Sequence, residues 1–474
     1  MTYKFSITIE KRSENMKDVI LKGIEFGKKL NADFIDVRYQ NKYLANYQSQ
    51  DGELTVNTGS RRGLCTRVLY NGALGFASTT SLELKDLKTI IEQATKLAKG
   101  AAESKKEKIT FADVKSHTGK AISPRIKSLE DVSVEQKINM IKEAEKVYKD
   151  YEDIKSYTLG YDEIIDHRIV GNNEGTLIEQ ATMIPTVRAL AIASRETKIA
   201  PYQEAWSKAK GFELLDEHPL SELAKFASEM ALKNLEADLP AGGSTNVVID
   251  HTSVGIIAHE AVGHCSEADL VEAGSFLKGK IGQKVCSELV TMIDEPVIDD
   301  GSGWLMYDDE GTKGRKVEII KDGVLTDFLN NRMYAAKMEM VPTGNARAFN
   351  FDDEPLVRMR NTYIAPGDMT EEELFEVVKD GLFVTGMMNG SADTSGEFMV
   401  GTGQAIEIKN GKLTDKIFVG PTMTGNAFEV LSSTMGIGKE LKLNIGTGFC
   451  GKEQAAKVDA GGGLLACKVI LGGN

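Results

Sequence analysis

The stretch His259-Glu260-Ala261-Val262-Gly263-His264 constrains this 474-residue chain more than any other. It puts two imidazoles and a carboxylate into one short apolar segment. Imidazole nitrogen is a good zinc ligand, and a glutamate beside the first ligand can take a proton from water that the metal polarises. In the familiar HExxH arrangement the histidines stand four apart on one helical face. Here they stand five apart, and at about 3.6 residues per turn the second is rotated by about 140° from the first. On a regular helix both cannot point at one metal. Either these are two buried, hydrogen-bonded histidines on a core helix, or the helix is distorted just before His264. Gly263 favours distortion, because glycine tolerates the dihedrals of a bulge or an early helix end. π-bulges, which absorb one extra residue, recur at functional sites.

Composition narrows the classes of partner. The formal net charge of −13 argues against nucleic acid, which needs a basic face. Apolar content of 41% and charged content of 27% fit a soluble globular chain, and no apolar run approaches the ~20 residues that span a bilayer. The N-terminal residues lack the apolar core of a signal peptide. Cys65, Cys265, Cys286, Cys450 and Cys467 are scattered and odd in number, unlike a disulfide framework. The expectation is a cytoplasmic protein with neither membrane nor nucleic acid as partner.

A chain of this length exceeds what one core supports. The expected class is α+β, with N-terminal α/β domains followed by a large, mostly antiparallel β-rich domain that carries the metal-binding helix. The expected boundaries are 1–100, 101–240 and 241–474. Ser13 is read as the cap of a first helix, with Met16, Val19, Ile20, Ile24, Phe26 and Leu30 at helical spacing. Phe34–Tyr39 reads as a strand alternating in and out, and Thr66–Tyr70 leads into Asn71-Gly72, a type I′ hairpin signal. A helix over Leu82–Ala98 should turn Leu87, Ile90, Ile91, Ala94 and Leu97 inward. After a polar, irregular stretch over 99–130, a helix should begin at Ser133, whose side chain can pair with Gln136 in a capping box. Strands are expected at Ile154–Tyr161, Arg168–Gly171, Thr176–Glu179 and Thr186–Ala193, then a helix over Ser221–Ala237. Asn246–Asp250 reads as a buried strand feeding the histidine helix, and Asp322-Gly323 and Asn410-Gly411 mark two further hairpins.

A catalytic zinc usually has three protein ligands and one exchangeable water. Glu267, Asp269, Glu272 and Cys265 lie near the motif. Cys450, farther off in Gly448-Phe449-Cys450-Gly451-Lys452, offers a thiolate flanked by glycines. The residues alone leave these alternatives open.

Taken with that glycine-flanked cysteine, the His259–His264 motif resembles the TldD branch of the TldD/PmbA metallopeptidase family. Tyr307–Thr312, Thr343–Arg347 and Asn361–Asp368 are also similar to it, so the likeness runs through most of the chain. The resemblance implies one zinc per chain held by His259, His264 and Cys450, with Glu260 as catalytic base. It also implies a dimer enclosing a cavity, either a homodimer or a heterodimer with a related subunit lacking the motif, and unfolded or small peptides as substrates. Asn361 and Tyr363 are candidate donors to substrate or oxyanion. The family's cysteine motif commonly continues CGKxGQ, whereas Lys452-Glu453-Gln454 lacks that glycine here. The runner-up is a peptide-binding scaffold with a structural metal, for which Cys265 or Glu267 would supply a fourth ligand. A thiol enzyme built on Cys450 is a weaker third reading.

Overall fold

The computed structural model describes residues 2–299 and 301–472. Helix α1 (Thr2–Lys28) leads into β1 (Phe34–Gln50), β2 (Glu53–Tyr70) and β3 (Ala73–Thr79), followed by α2 (Leu84–Ser104). Strand β4 (Thr118–Ile122) and helix α3 (Val134–Ala144) precede β5 (Ile154–Asn172), β6 (Leu177–Arg195) and β7 (Lys198–Ser207). Helices α4 (Leu214–Glu217) and α5 (Leu220–Glu236) complete this half. Its strands form one sheet in the order β3-β2-β1-β5-β6-β4, with β7 on β6. Strands from both sides of residue 100 therefore share a single hydrogen-bonded layer.

Strand β1 explains how the layers assemble. Side chains alternate across a strand, and the odd-numbered Ile35, Val37 and Tyr39 pack with α1 and α2 in one apolar cluster. Ala45 and Tyr47, on the same face, join a second cluster with residues of α3 and α5. The even-numbered Asp36, Arg38, Gln40 and Lys42 are also buried, so this strand is covered on both faces rather than alternating between core and solvent. Arg38 donates to the Asp353 carbonyl at 2.6 Å and Gln40 to the Phe349 carbonyl at 3.1 Å, so the polar face is a seam with the C-terminal half.

The acidic run Asp308-Asp309-Glu310 locks that seam. The Asp308 carboxylate accepts backbone N–H groups of Glu310, Thr312 and Ala346. Asp309 pairs with Arg168 at 2.6 Å, and Glu310 pairs with Arg67 at 2.9 Å. Burial pushes the Asp308 carboxyl well above its ordinary range, with Glu310 adding to it.

Local signals and structure agree at several points. Ser133 and Gln136 make the reciprocal capping box. Asn71-Gly72, Asp322-Gly323 and Asn410-Gly411 all take positive φ. Other readings need correction. Ser13 lies inside α1 rather than at its start. Leu97 is 58% exposed, because α2 turns Ala94, Thr95 and Ala98 inward instead. The short strands expected between 154 and 193 are two long ones.

The C-terminal half begins with β8 (Gly243–Ile249). Strand β8 lies between strands Gly381–Ala392 and Leu465–Gly472, and the series continues through Thr422–Asn426 to Glu397–Lys409. Glu397–Lys409 also pairs with Gly381–Ala392, so these five strands close into a barrel-like ring. Of the ring's pairings only β8 with Gly381–Ala392 is parallel. A second sheet pairs Asn361–Ile364 with Met292–Glu295 and with Asp459–Gly462. Between the two sheets runs the buried histidine helix. Among the described residues, no helix is long and apolar enough to cross a membrane.

Candidate metal centre

Strand β8 ends at Ile249, and Asp250 caps the helix that follows, α6 (His251–Ile256). One Asp250 carboxylate oxygen accepts the Ser253 N–H at 2.9 Å, and the other takes the Gly386 N–H at 2.8 Å. From Ser253 to Gly263 every residue but Glu260 is buried, so the helix is enclosed by protein except where Glu260 meets solvent. A Cβ on Gly255 would come within 2.8 Å of the Ala460 backbone, so the helix lies directly on the strand Asp459–Gly462.

Residues Ile257–Gly263 are π-helical, and the His264 N–H closes on the carbonyl of His259. A turn closed over five residues instead of four absorbs the extra residue of the motif. The two imidazoles then stand with ring centroids 5.2 Å apart and planes at 78°. Gly263 contributes differently from the sequence expectation. Its φ of −58° and ψ of −52° are ordinary helical values. Glycine is favoured for space, because a Cβ there would fall 2.1 Å from the sulfur of the buried Met359 and 2.9 Å from the Ala258 carbonyl.

Cys450 arrives from the opposite side on a hairpin, Phe449–Lys452 paired with Gln454–Lys457. Its Sγ lies 3.2 Å from His264 Nε2. The ligand atoms of His259, His264 and Cys450 all fall within 4.8 Å of one another. His259 is 1% exposed, and neither ring nitrogen has a hydrogen-bond partner of good geometry. An orphaned buried polar group costs about 1–3 kcal/mol, and a cation held by the three side chains would remove that cost for one of the two nitrogens. The donor set, two imidazoles and a thiolate, suits zinc over harder metals.

The electrostatics favour a thiolate. Burial alone would raise the Cys450 thiol, but His259 and then His264 outweigh it and pull it down to about 5. For His264, burial is outweighed by Glu267 and Cys450, and the imidazole rises to about 10. A cation entering the site would therefore displace a proton from the imidazole. Glu267, fully buried, accepts from His264 Nδ1 at 2.7 Å, which leaves Nε2 facing the thiol. The same carboxylate takes the Lys452 ammonium at 3.0 Å and the Met359 N–H at 3.2 Å. His264 and Lys452 hold the Glu267 carboxyl down at about 2 against its burial. Lys452 also pairs with Asp269 at 2.8 Å. Glu267 and Asp269, candidates as ligands from the sequence, stand instead behind His264 and Lys452. The signal was present, since Glu267 stands three residues after His264 on the same helical side.

Residues 242–461 match the model of the PmbA/TldA metallopeptidase C-terminal domain, 127–235 its central domain and 35–98 its domain 1. The chain belongs to the PmbA/TldD metallopeptidase family. It is 32% identical to a metalloprotease of Methanothermobacter thermautotrophicus, over 91% of this chain and 93% of that one. It is 29% identical to a zinc metalloprotease TldD homolog of Saccharolobus solfataricus, over 95% and 99%. In fold it is similar to a candidate modulator of a DNA gyrase from Thermotoga maritima, at 22% identity and a TM-score of 0.79, covering 97% of this chain and 100% of that one. It is also similar to TldE from Thermococcus kodakarensis, at 18% identity and a TM-score of 0.72, covering 95% and 99%.

Other candidates in this PmbA/TldD chain are engaged elsewhere. Asn361 is fully buried, its amide oxygen accepting from Gly303 N–H at 2.9 Å and its amide nitrogen donating to the Glu295 carbonyl at 2.8 Å. Tyr363 donates its hydroxyl to the Glu295 carboxylate at 2.7 Å. Both side chains brace the second sheet rather than facing the three ligand atoms. Cys265 points to the Thr394 carbonyl at 3.4 Å, with burial pushing its thiol up to about 11. Glu272 pairs with Lys337 at 2.8 Å. Glu260 has 26% of its side chain exposed and sits 3.7 Å from His264 Nε2, beside the cluster and open to solvent.

Proposed function

We propose that this protein is a zinc-dependent peptidase acting on unfolded or small peptides, with one zinc ion held by His259, His264 and Cys450 and Glu260 as general base. The observation that carries the reading is the π-turn, which gathers the two histidines of a five-residue spacing against Cys450 with the Glu260 carboxylate alongside. Zinc bound there supplies Lewis acidity towards a peptide carbonyl and makes water easier to deprotonate near neutral pH. Glu260 takes that proton and returns it to the leaving amine. Its partial exposure gives water and substrate a way in, whereas His259 is sealed in the core. Glu267 holds His264 in the tautomer that offers Nε2.

Three donors leave a fourth position for the reacting groups. A scaffold with a structural metal would need another protein ligand, and both Cys265 and Glu267 are committed to other partners. That favours catalysis over the scaffold. The family resemblance further leads us to propose a dimer, with a second copy or with a related subunit lacking the motif. Five free, buried cysteines support a reducing, cytoplasmic setting.

The test is Glu260→Gln. Zinc per chain should match the wild type while cleavage of a disordered peptide falls by at least about 10²-fold, the size of a general-base contribution. Full retained activity would sink the base assignment. Cys450→Ala, measured alongside, should lose zinc.

A further inference from the structure

A narrow, partly enclosed cleft lies where β1, β5 and β6 meet the C-terminal half. Lys42, Arg347 and Lys457 line it, and among the described residues none of the three has a carboxylate within ion-pair distance. Lys42 donates to the Phe349 carbonyl. Arg347 donates to the carbonyls of Met359 and Lys457. Lys457 donates to the Thr447 carbonyl and lies 3.4 Å from the Thr186 hydroxyl. Lys42 and Lys457 are 1% and 6% exposed, so water does little for either.

Nearby carboxylates are spent on other cations. Asp166 pairs with Arg168 at 2.7 Å, and Asp309 pairs with Arg168 at 2.6 Å. Asp162 pairs with Arg188, and Asp459 lies 3.7 Å from Lys208 while accepting the Ser302 N–H. Burial accordingly pushes Lys42 down to about 8, Arg347 to about 9 and Lys457 to about 7. Buried charges are normally paired; the cleft wall holds a single carboxylate, Asp166, which is spent on Arg168, so Lys42, Arg347 and Lys457 leave cations in excess there. Its remaining wall is mixed, with Gln180, Thr182 and Ser302 beside the Trp304 and Phe349 rings and Ile184. Such a wall suits an organic acid better than a fully hydrated inorganic ion.

The cleft adjoins the metal centre through shared elements. One hairpin carries Cys450 on its first strand and Lys457 on its second. Arg347 reaches the carbonyl of Met359, the residue that packs on Gly263 just before His264. We propose that the cleft binds the carboxylate of an organic ligand through Lys42, Arg347 and Lys457, the ligand being a peptide presenting its free C-terminus. The peptide as source rests on the peptidase reading; the carboxylate site does not.

Calorimetry on the zinc-loaded Glu260→Gln full chain tests this without turnover. The probes are a hexa-alanine acid, its C-terminal amide, succinate and inorganic phosphate. The acid should bind about tenfold or more tighter than the amide, a difference of about 1.4 kcal/mol. That ratio should fall below about threefold in Lys42→Met and in Lys457→Met at unchanged zinc content, which excludes the metal as the carboxylate's partner. Succinate binding that weakens in both variants, with acid and amide equal, would keep the carboxylate site but assign it to a free organic acid. Equal acid and amide with no succinate binding would overturn the proposal, as would phosphate binding more tightly than succinate or discrimination that survives both lysine changes. The acid–amide comparison needs no lysine variant, so it stands even if one of them fails to fold. Failure of the peptidase reading would appear as absent cleavage in the wild type, a separate readout.

Discussion

His264 hands its Nδ1 to the buried carboxylate of Glu267 at 2.7 Å, and this bond fixes which ring nitrogen faces Cys450. A carboxylate behind a ligating histidine raises its basicity and locks its orientation, and losing such a partner typically weakens metal binding by about 10–100-fold. Glu267→Gln keeps the shape and can still accept the Met359 N–H while removing the charge. Zinc affinity measured by chelator competition should fall within that range with the fold intact. Unchanged affinity would mean that the metal, not Glu267, sets the tautomer.

The π-turn depends on a close approach at Gly263. Adding a methyl in Gly263→Ala would drive it to 2.1 Å from the Met359 sulfur and 2.9 Å from the Ala258 carbonyl. Overpacking of this kind costs about 1–3 kcal/mol. Here the displaced segment carries His264, so zinc content should drop together with the thermal midpoint. The double variant Gly263→Ala/Met359→Ala removes the principal obstruction and should recover zinc content in part. If Gly263→Ala alone retains full zinc and stability, the approach is softer than the geometry states.

The five-residue spacing and the preceding glycine pointed to an absorbed residue before His264, and the π-turn lies there. Turn dipeptides and the Ser133 capping box were legible for the same reason: each is decided within four residues of chain. What was not legible depended on distant partners. The even face of the expected strand reads as solvent-facing at Asp36 and Arg38, yet β1 runs on through Gln40 and Lys42 and that face is sealed by segments some 300 residues later, such as Phe349–Asp353. Asn361 and Tyr363 look like free donors until Gly303 and Glu295 are seen to occupy them. Leu97 fits the helical period, but α2 is rotated slightly from the face that period suggests, because Gly75 meets the helix at Ala94 and Ala98.

The seam between the halves makes a stability prediction. Glu310, 1% exposed, accepts the Arg67 guanidinium and the Arg332 N–H, each at 2.9 Å. Glu310→Ala would strand part of a buried guanidinium and an N–H group, and breaking a buried pair from one side costs about 3–5 kcal/mol. The urea midpoint should shift strongly downward, with a smaller shift for Glu310→Gln. A change below about 1 kcal/mol would show that Asp36, which also holds Arg67, suffices alone.

The hairpin bearing Cys450 carries an avoidable strain. Glu453 alone joins its two strands, with φ at +59°, and its side chain is exposed. A left-handed conformation costs a non-glycine residue about 1–2 kcal/mol, offset in part by the greater entropy that glycine loses on folding. Glu453→Gly should therefore stabilise the protein by up to about 1 kcal/mol, read as a higher urea midpoint. Lys452 and Cys450 keep their backbone register in that variant, so zinc content should stay at the wild-type level. A lower midpoint would reveal that the Glu453 carboxylate supports the hairpin through solution contacts, and a loss of zinc would show that turn geometry sets the reach of Cys450.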